Sequence, residues 1–178
     1  MTFLGDDWIP GPDGMRYRHA ARVLVFDPCK RLLLAQGHDL DDPQRHWWFT
    51  IGGGRKPGEP ARVAAVRELY EETGIKVEAS QLIGPVIKRT AILNFTAETV
   101  KQYEQFFLIF LTHPAELKTT GWTSQEQSMM DDLRWWTLPA LADQNDQVYP
   151  ENLVDIATGL QHGWDGTVLE LGEVHDPA

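Results

Sequence analysis

The sequence predicts an α/β fold, a three-layer α/β/α sandwich on a mixed β-sheet, and three observations carry that expectation. Apolar runs of strand length occupy residues 20–26, 32–36 and 103–111. The segment from Pro60 to Gly74 has both punctuation marks of a helix: a proline suited to its first turn and a glycine just past its end. Two further helical stretches, 138–141 and 150–160, follow the later strands, an order that suits layered strands and helices.

The elements follow in order. Residues 1–18 are polar and broken by Pro10, Gly11, Pro12 and Gly14, which reads as a loose N-terminal arm. The runs 20–26 and 32–36 flank Asp27-Pro28-Cys29-Lys30 and read as a two-stranded hairpin. Residues 38–43 form a solvated loop whose His38, Asp39, Asp41 and Asp42 lack fixed ligand spacing. Trp47-Trp48-Phe49-Thr50 is a short aromatic strand that leads into Gly52, Gly53 and Gly54. After the helix, 77–88 reads as a strand interrupted by Gly84-Pro85, and 89–100 as a hairpin end or substrate-facing loop. Residues 103–111, with Phe106, Phe107 and Phe110, form a core strand that His113-Pro114 closes. A polar connection (115–127) precedes a short strand at 132–136. From Trp164 the chain is acidic and rich in turns, with one short strand at 168–171. At 178 residues the whole chain, 1–178, reads as one domain with an arm at 1–18 and a tail at 164–178.

The helix within 60–74 is the stretch least explained by stability. Glu68, Glu71 and Glu72 stand at i, i+3 and i+4 and so share one helical face, while Val66, Leu69, Tyr70 and Thr73 face a core. Like charges at that spacing cost an isolated helix about 0.2–0.5 kcal/mol per pair. They also sit in the last turn, beside the negative end of the helix dipole. A compensating cation is expected, and hard divalent ions take carboxylate oxygens as ligands. Arg67 supplies a rigid donor fork that can hold a neighbouring carboxylate.

Gly53, Glu59, Arg67, Glu68, Leu69, Glu71, Glu72, Gly74 and Ile75 reproduce the spacing G-x5-E-x7-R-E-U-x-E-E-x-G-U, where U is a bulky apolar residue. In this respect the chain resembles the Nudix hydrolases, and the match has no departures. Upstream it departs once: Ile51 stands where that family commonly has a proline, and an extra glycine follows. The resemblance implies the α/β/α sandwich with a mixed sheet. It also implies hydrolysis of a pyrophosphate bond in a nucleoside diphosphate linked to another group X, with Mg²⁺ or Mn²⁺ required. Glu68, Glu71 and Glu72 would hold the metal, and Glu71 or Glu72 would act through it in catalysis. Arg67 would orient a glutamate, and Glu59 and Gly74 would organise the loop and the helix ends. Gly52, Gly53, Gly54 and Arg55 would approach the phosphates.

Many relatives add a carboxylate from a loop outside this motif. Glu126, just before the 132–136 strand, resembles that position, with Asp131 and Asp132 as competitors. Trp47, Trp48, Trp122 and Phe95 are candidates for stacking a base, and Arg45, Arg55, Lys88 and Arg89 for phosphate contacts. Neither set carries a sub-family signature, so X stays open.

Composition narrows the partners. A net charge of −10 argues against a nucleic-acid polymer or an anionic membrane surface and leaves a small nucleoside diphosphate derivative. The one cysteine, Cys29, excludes an internal disulfide and fits a reducing compartment. There is no signal-peptide pattern and no apolar stretch near 18 residues, so a cytoplasmic protein is expected, with homodimerisation open. Two alternatives share the fold: a catalytically silent nucleotide-binding or regulatory domain, and an isoprenoid diphosphate isomerase. Complete motif glutamates weigh against the first. The second needs a catalytic cysteine, and Cys29 lies in a turn far upstream.

Overall fold

A computed structural model of the chain describes residues 5, 7–39, 42–95 and 98–176. In chain order the strands and helices are β1 (Ile9–Pro10), β2 (Arg16–Phe26), β3 (Leu32–His38), β4 (His46–Gly54), α1 (Ala61–Thr73), β5 (Ile83–Asn94) and β6 (Thr99–Phe110). They continue as α2 (Ser124–Met129), β7 (Met130–Trp136), α3 (Leu138–Asp143), β8 (Gln147–Tyr149), α4 (Leu153–Leu160) and β9 (Leu169–Asp176). The strands form one mixed sheet in the order β7-β3-β4-β2-β6-β5-β9, with β1 beside β2 and β8 beside β4. β2 and β6 run parallel, as do β4 with β8 and β5 with β9.

Both faces of this sheet are covered, and the two-residue period of the strands sorts side chains between them. Ala21, Val23 and Val25 of β2, Leu33 and Ala35 of β3, and Phe107 and Ile109 of β6 pack with Ala64, Ala65 and Leu69 of α1. The alternate residues Leu24, Phe26, Leu32, Leu34, Phe106 and Leu108 pack on the opposite face with Leu138, Leu141, Leu153 and Ala157 of α3 and α4. Residues buried on both sides explain why these strands read as continuous apolar runs instead of alternating ones. The expected α/β/α arrangement is the observed one.

Several boundaries differ from the sequence reading, each for a tertiary reason. The expected β2–β3 hairpin pairs only at Phe26↔Leu32. β4 lies between the two strands, its first half paired with β3 and its last residues with β2. The expected arm is partly strand: β1 pairs with Tyr17 and Arg16, and Trp8 is buried. The expected tail supplies β9, parallel to β5, because Asp176 accepts two hydrogen bonds (3.0 and 3.1 Å) from the buried Arg89 guanidinium. The strand expected over 77–88 starts only at Ile83, passes the irregularity beside Gly84-Pro85 and runs on to Asn94, into the stretch 89–100 read as a hairpin end or loop. Residues 1–4 and 6 of the arm, 40–41 of the expected loop, 96–97 and 177–178 lie outside the described residues.

Helix α1 begins one residue later than expected, with Pro60 as its extended cap, and Gly74 ends it in the left-handed region at φ +76°. Leu69 and Thr73 are buried as expected, but Tyr70 is half exposed. Ala65, Glu68, Leu69 and Glu72 form the i, i+3, i+4, i+7 stripe that meets the sheet, so two carboxylates lie on the buried face.

Leu69→Ala is expected to lower stability by about 2–5 kcal/mol, the cost of a buried leucine truncation. Tyr70→Ala should cost less, since half its side chain already meets water. Denaturant midpoints of the two variants check this, and equal losses would contradict the stripe.

Candidate active site

Two glycines let α1 lie against the end of β4. Gly52 has φ +131°, and a Cβ there would overlap the Ala21 carbonyl oxygen. At Gly53 a Cβ would stand 2.9–3.2 Å from the Glu68 carboxylate atoms, so only a bare backbone leaves that carboxylate room. The Gly52 N–H donates to Glu72 Oε2 at 2.9 Å. The loop thus fits around the helix's own acids, and Gly54 gives its carbonyl to Arg67.

Arg67 is the hub of the site. Its Nε donates to Glu59 Oε1 (2.9 Å), and one terminal nitrogen to Glu68 Oε1 (2.6 Å) and Glu71 Oε2 (2.9 Å). The other donates to Glu59 Oε2 (2.8 Å) and to the Gly54 carbonyl (3.0 Å). A guanidinium has five N–H donors, and all are used on the protein itself. The Arg67 partnership pulls the Glu59 carboxyl down to about 2, helped by the Lys56 N–H on Glu59 Oε2. The Glu59 carbonyl in turn accepts two bonds from Arg55, at 3.0 and 2.8 Å.

The three motif glutamates do not share one environment. Glu71 is partly exposed and held by Arg67. Glu68 and Glu72 are buried, at 7% and 4% exposure, too little for water to compensate their charge. Burial pushes Glu72 up to about 8, and the Glu68 charge adds to it, against the Gly52 N–H and Arg22. Burial also raises Glu68, although Arg67 pulls the other way. Glu126, on α2, brings its carboxylate to this pair: one oxygen each from Glu68, Glu72 and Glu126 lie within 4.8 Å of one another.

The approach of Glu126 has local causes. Thr123 and Glu126 form a capping box at the start of α2: Thr123 N donates to Glu126 Oε2 (2.6 Å), and Glu126 N to the Thr123 hydroxyl (3.2 Å). The chain before it is fastened to the carboxyl end of α1. Lys118 N donates to the Thr73 carbonyl and the Trp122 indole to the Glu72 carbonyl, both at 2.8 Å. Among the competitors, Asp131 meets His38 and His46 instead, and Asp132 pairs with Arg134.

This cluster opens on a cavity of about 700 Å³ that Trp47, Phe95, Arg45, Arg55 and Arg89 also line. Two expected stacking residues are committed elsewhere: Trp48 is core and donates to Asp146 (3.1 Å), and Trp122 packs on the α1 side. Lys88 pairs with Glu170 and is not among the cavity-lining residues. Sequence reading missed Trp8, Arg18, Arg22, Gln102, Glu104 and Tyr149 on the cavity wall. Arg18 with Arg22 on β2, and Gln102 with Glu104 on β6, stand at even spacings that put each pair on one strand face, the signal that could have found them; Trp8 and Tyr149 come from elsewhere in the chain.

The residues present fit a hard divalent cation. Three carboxylates converge, two of them buried beyond what their own partners neutralise, which is the donor set such an ion takes.

The NUDIX domain model matches residues 16–154. The chain belongs to the Nudix family. Members generally use divalent metal ions. An RNA pyrophosphohydrolase from Dinoroseobacter shibae is 39% identical over 67 residues, 38% of this chain and 40% of that protein. Human diphosphoinositol polyphosphate phosphohydrolase 3-alpha is 34% identical over 73 residues, 41% of this chain and 42% of that one. The chain thus spans about two fifths of the length of the curated relatives it matches. The E. coli dihydroneopterin triphosphate pyrophosphohydrolase structure superposes with a TM-score of 0.59 over 82% of this chain and 97% of that one. At 22% identity, that likeness concerns the fold. Among the described residues of this Nudix chain no helix is long and apolar enough to cross a membrane.

Two pH dependences follow. Glu72 holds a proton up to about pH 8, so divalent-ion affinity should rise from pH 6 to 8 with proton release. Calorimetry in two buffers of different ionisation enthalpy checks this, and Glu72→Gln should flatten the dependence. Glu59 has the opposite sign: its folded value lies below the unfolded one, so its stabilisation is present above about pH 4.5 and lost as pH falls toward 2. The melting difference between the parent and Glu59→Gln should shrink over that interval.

Proposed function

We propose that this Nudix chain hydrolyses a pyrophosphate bond in a small nucleoside diphosphate derivative, with Mg²⁺ or Mn²⁺ as the metal. The observation that carries the reading is the convergence of Glu68, Glu72 and Glu126 on the cavity. The names of the relatives support the same class, since each describes cleavage of a phosphorylated small molecule or an RNA pyrophosphate. The cavity's aromatic and cationic walls suit a planar group joined to phosphates, and the net charge of −10 disfavours a long polyanion. The reading places the reaction in one domain acting on a diffusible substrate, in the cytoplasm.

Glu68, Glu72 and Glu126 would hold the cation, with Glu71 at the edge of the group. When bound, the ion neutralises charge on the phosphate oxygens and acidifies water at the reacting phosphorus. The protein's own residues supply the remainder. Arg67 has no donor left for substrate, so its part is to fix Glu68, Glu71 and the Gly54 carbonyl in place. Glu126 accepts a proton from the attacking water with the lone pairs that Thr123 does not occupy. The water oxygen bonds to phosphorus, the bridging P–O bond breaks, and its electron pair leaves with the departing phosphate. Gly52 and Gly53 keep the carboxylates close, and Arg55 and Lys56 stand at the cavity wall where phosphate enters.

A hydrolysis screen with Mg²⁺ or Mn²⁺ tests this over dNTPs, nucleotide sugars, ADP-ribose, NADH, dinucleoside polyphosphates and coenzyme A. At least one substrate should turn over, and Glu72→Gln should lower kcat by about 10²-fold or more while the fold survives. Glu126→Gln should lower kcat by about 10²-fold or more, the scale of one general base, and a pH–rate profile matching the parent's would leave Glu126 a loop acid only. Unchanged turnover in Glu72→Gln would overturn the assignment, as would hydrolysis that does not depend on a divalent ion.

A further inference from the structure

A second group of metal-binding side chains lies beside the carboxylate cluster and takes no part in the proposed hydrolysis. His38 ends β3 and His46 begins β4, and the two are direct cross-strand partners. Asp131 is the second residue of β7. The His38 Nδ1 lies 3.0 Å from both Asp131 oxygens, and the His46 Nδ1 lies 3.4 Å from Oδ2. One donor atom from each of the three residues lies within 4.8 Å of the others.

Two features of the backbone build this convergence. β7 pairs Asp132 with Gln36 and Met130 with Gly37, so Asp131 is the extra residue of a bulge. A bulge re-aims one side chain while the ladder continues on either side, and here it turns Asp131 toward the two histidines. Gly37, next to His38, lets the α2–β7 junction come close: a Cβ there would stand 3.0 Å from the Met129 carbonyl and 3.1 Å from the Phe49 ring. Three adjacent strands of the sheet, β7, β3 and β4, thus each supply one member of the group.

We propose that His38, His46 and Asp131 bind a transition-metal ion of the Zn²⁺ or Co²⁺ type. Donors bound at about 2.0–2.1 Å in tetrahedral geometry lie roughly 3.3 Å apart, and the observed separations of 3.0 and 3.4 Å need little adjustment. Two imidazoles and one carboxylate favour such ions, whereas Mg²⁺ prefers an all-oxygen shell. The two neighbouring sites therefore select different metals. Three protein ligands leave a fourth position for water. The bound ion moors the start of β7, and through it α2, which carries Glu126.

The test uses the full chain without a histidine tag, in excess Mg²⁺. Co²⁺ titration should give one equivalent with the visible absorption of a low-coordinate nitrogen–oxygen site, and Zn²⁺ should displace it. His46→Ala and the milder His46→Gln should each weaken Co²⁺ at least about tenfold, with metal-free melting temperatures reporting that both remain folded. The Glu68→Gln/Glu72→Gln double variant should bind Co²⁺ as the parent does. Equal affinity in the histidine variants, or loss of the band only in the glutamate variant, would overturn the site. In the double variant, Zn²⁺ should slow amide exchange across residues 124–131. Unchanged exchange there would overturn the mooring of α2.

Discussion

The Arg67 guanidinium spends every donor inside the protein, and the arrangement of the acids depends on that. Its planar fork takes both oxygens of Glu59, one each of Glu68 and Glu71, and the Gly54 carbonyl. A lysine has three donors on a single point and could not span these acceptors. Removing the guanidinium would leave the buried Glu68 carboxylate without its cationic partner and release the half-buried Glu59 and Glu71. The glycine loop, the helix and the carboxylates are thereby one unit. Shifting any of them moves the others.

That unit is also why the helix can be acidic where helices are usually not. Glu68 and Glu72 sit under the sheet in place of apolar residues, and burial drives both toward their neutral forms. The resulting deficit of positive charge is what a divalent ion offsets. Stability and function oppose one another here: the metal-free protein protonates Glu72, and the proposed reaction needs that carboxylate ionised.

Much of this was legible in the sequence because it is local. Pro60, Gly74 and the 3.6-residue period fix α1, and the motif spacing puts Arg67 within reach of Glu68 and Glu71. Glu126 was also legible, through its place before the β7 strand. What escaped is non-local. Whether Tyr70 or Glu72 faces the sheet depends on which side of α1 is covered, and no propensity encodes that. The sheet inserts β4 between β2 and β3, a choice made by pairing across the chain and not by the Asp27-Pro28 turn. The start of β9 was legible as the short strand expected at 168–171, but its run on to Asp176 was not, because those residues are polar and the Arg89–Asp176 pair that holds them spans 87 positions. The His38–His46–Asp131 group needed the bulge in β7, which leaves no trace in composition.

In the proposed reaction the carboxylates converge to receive a cation while Arg67 stays committed to its partners. Anomalous diffraction from a crystal containing Mn²⁺ tests this most directly. A peak is expected among the Glu68, Glu72 and Glu126 carboxylates, with Arg67 still bound to Glu59. A site that omits Glu68 and Glu72, or an Arg67 released from Glu59 when the ion binds, would contradict it.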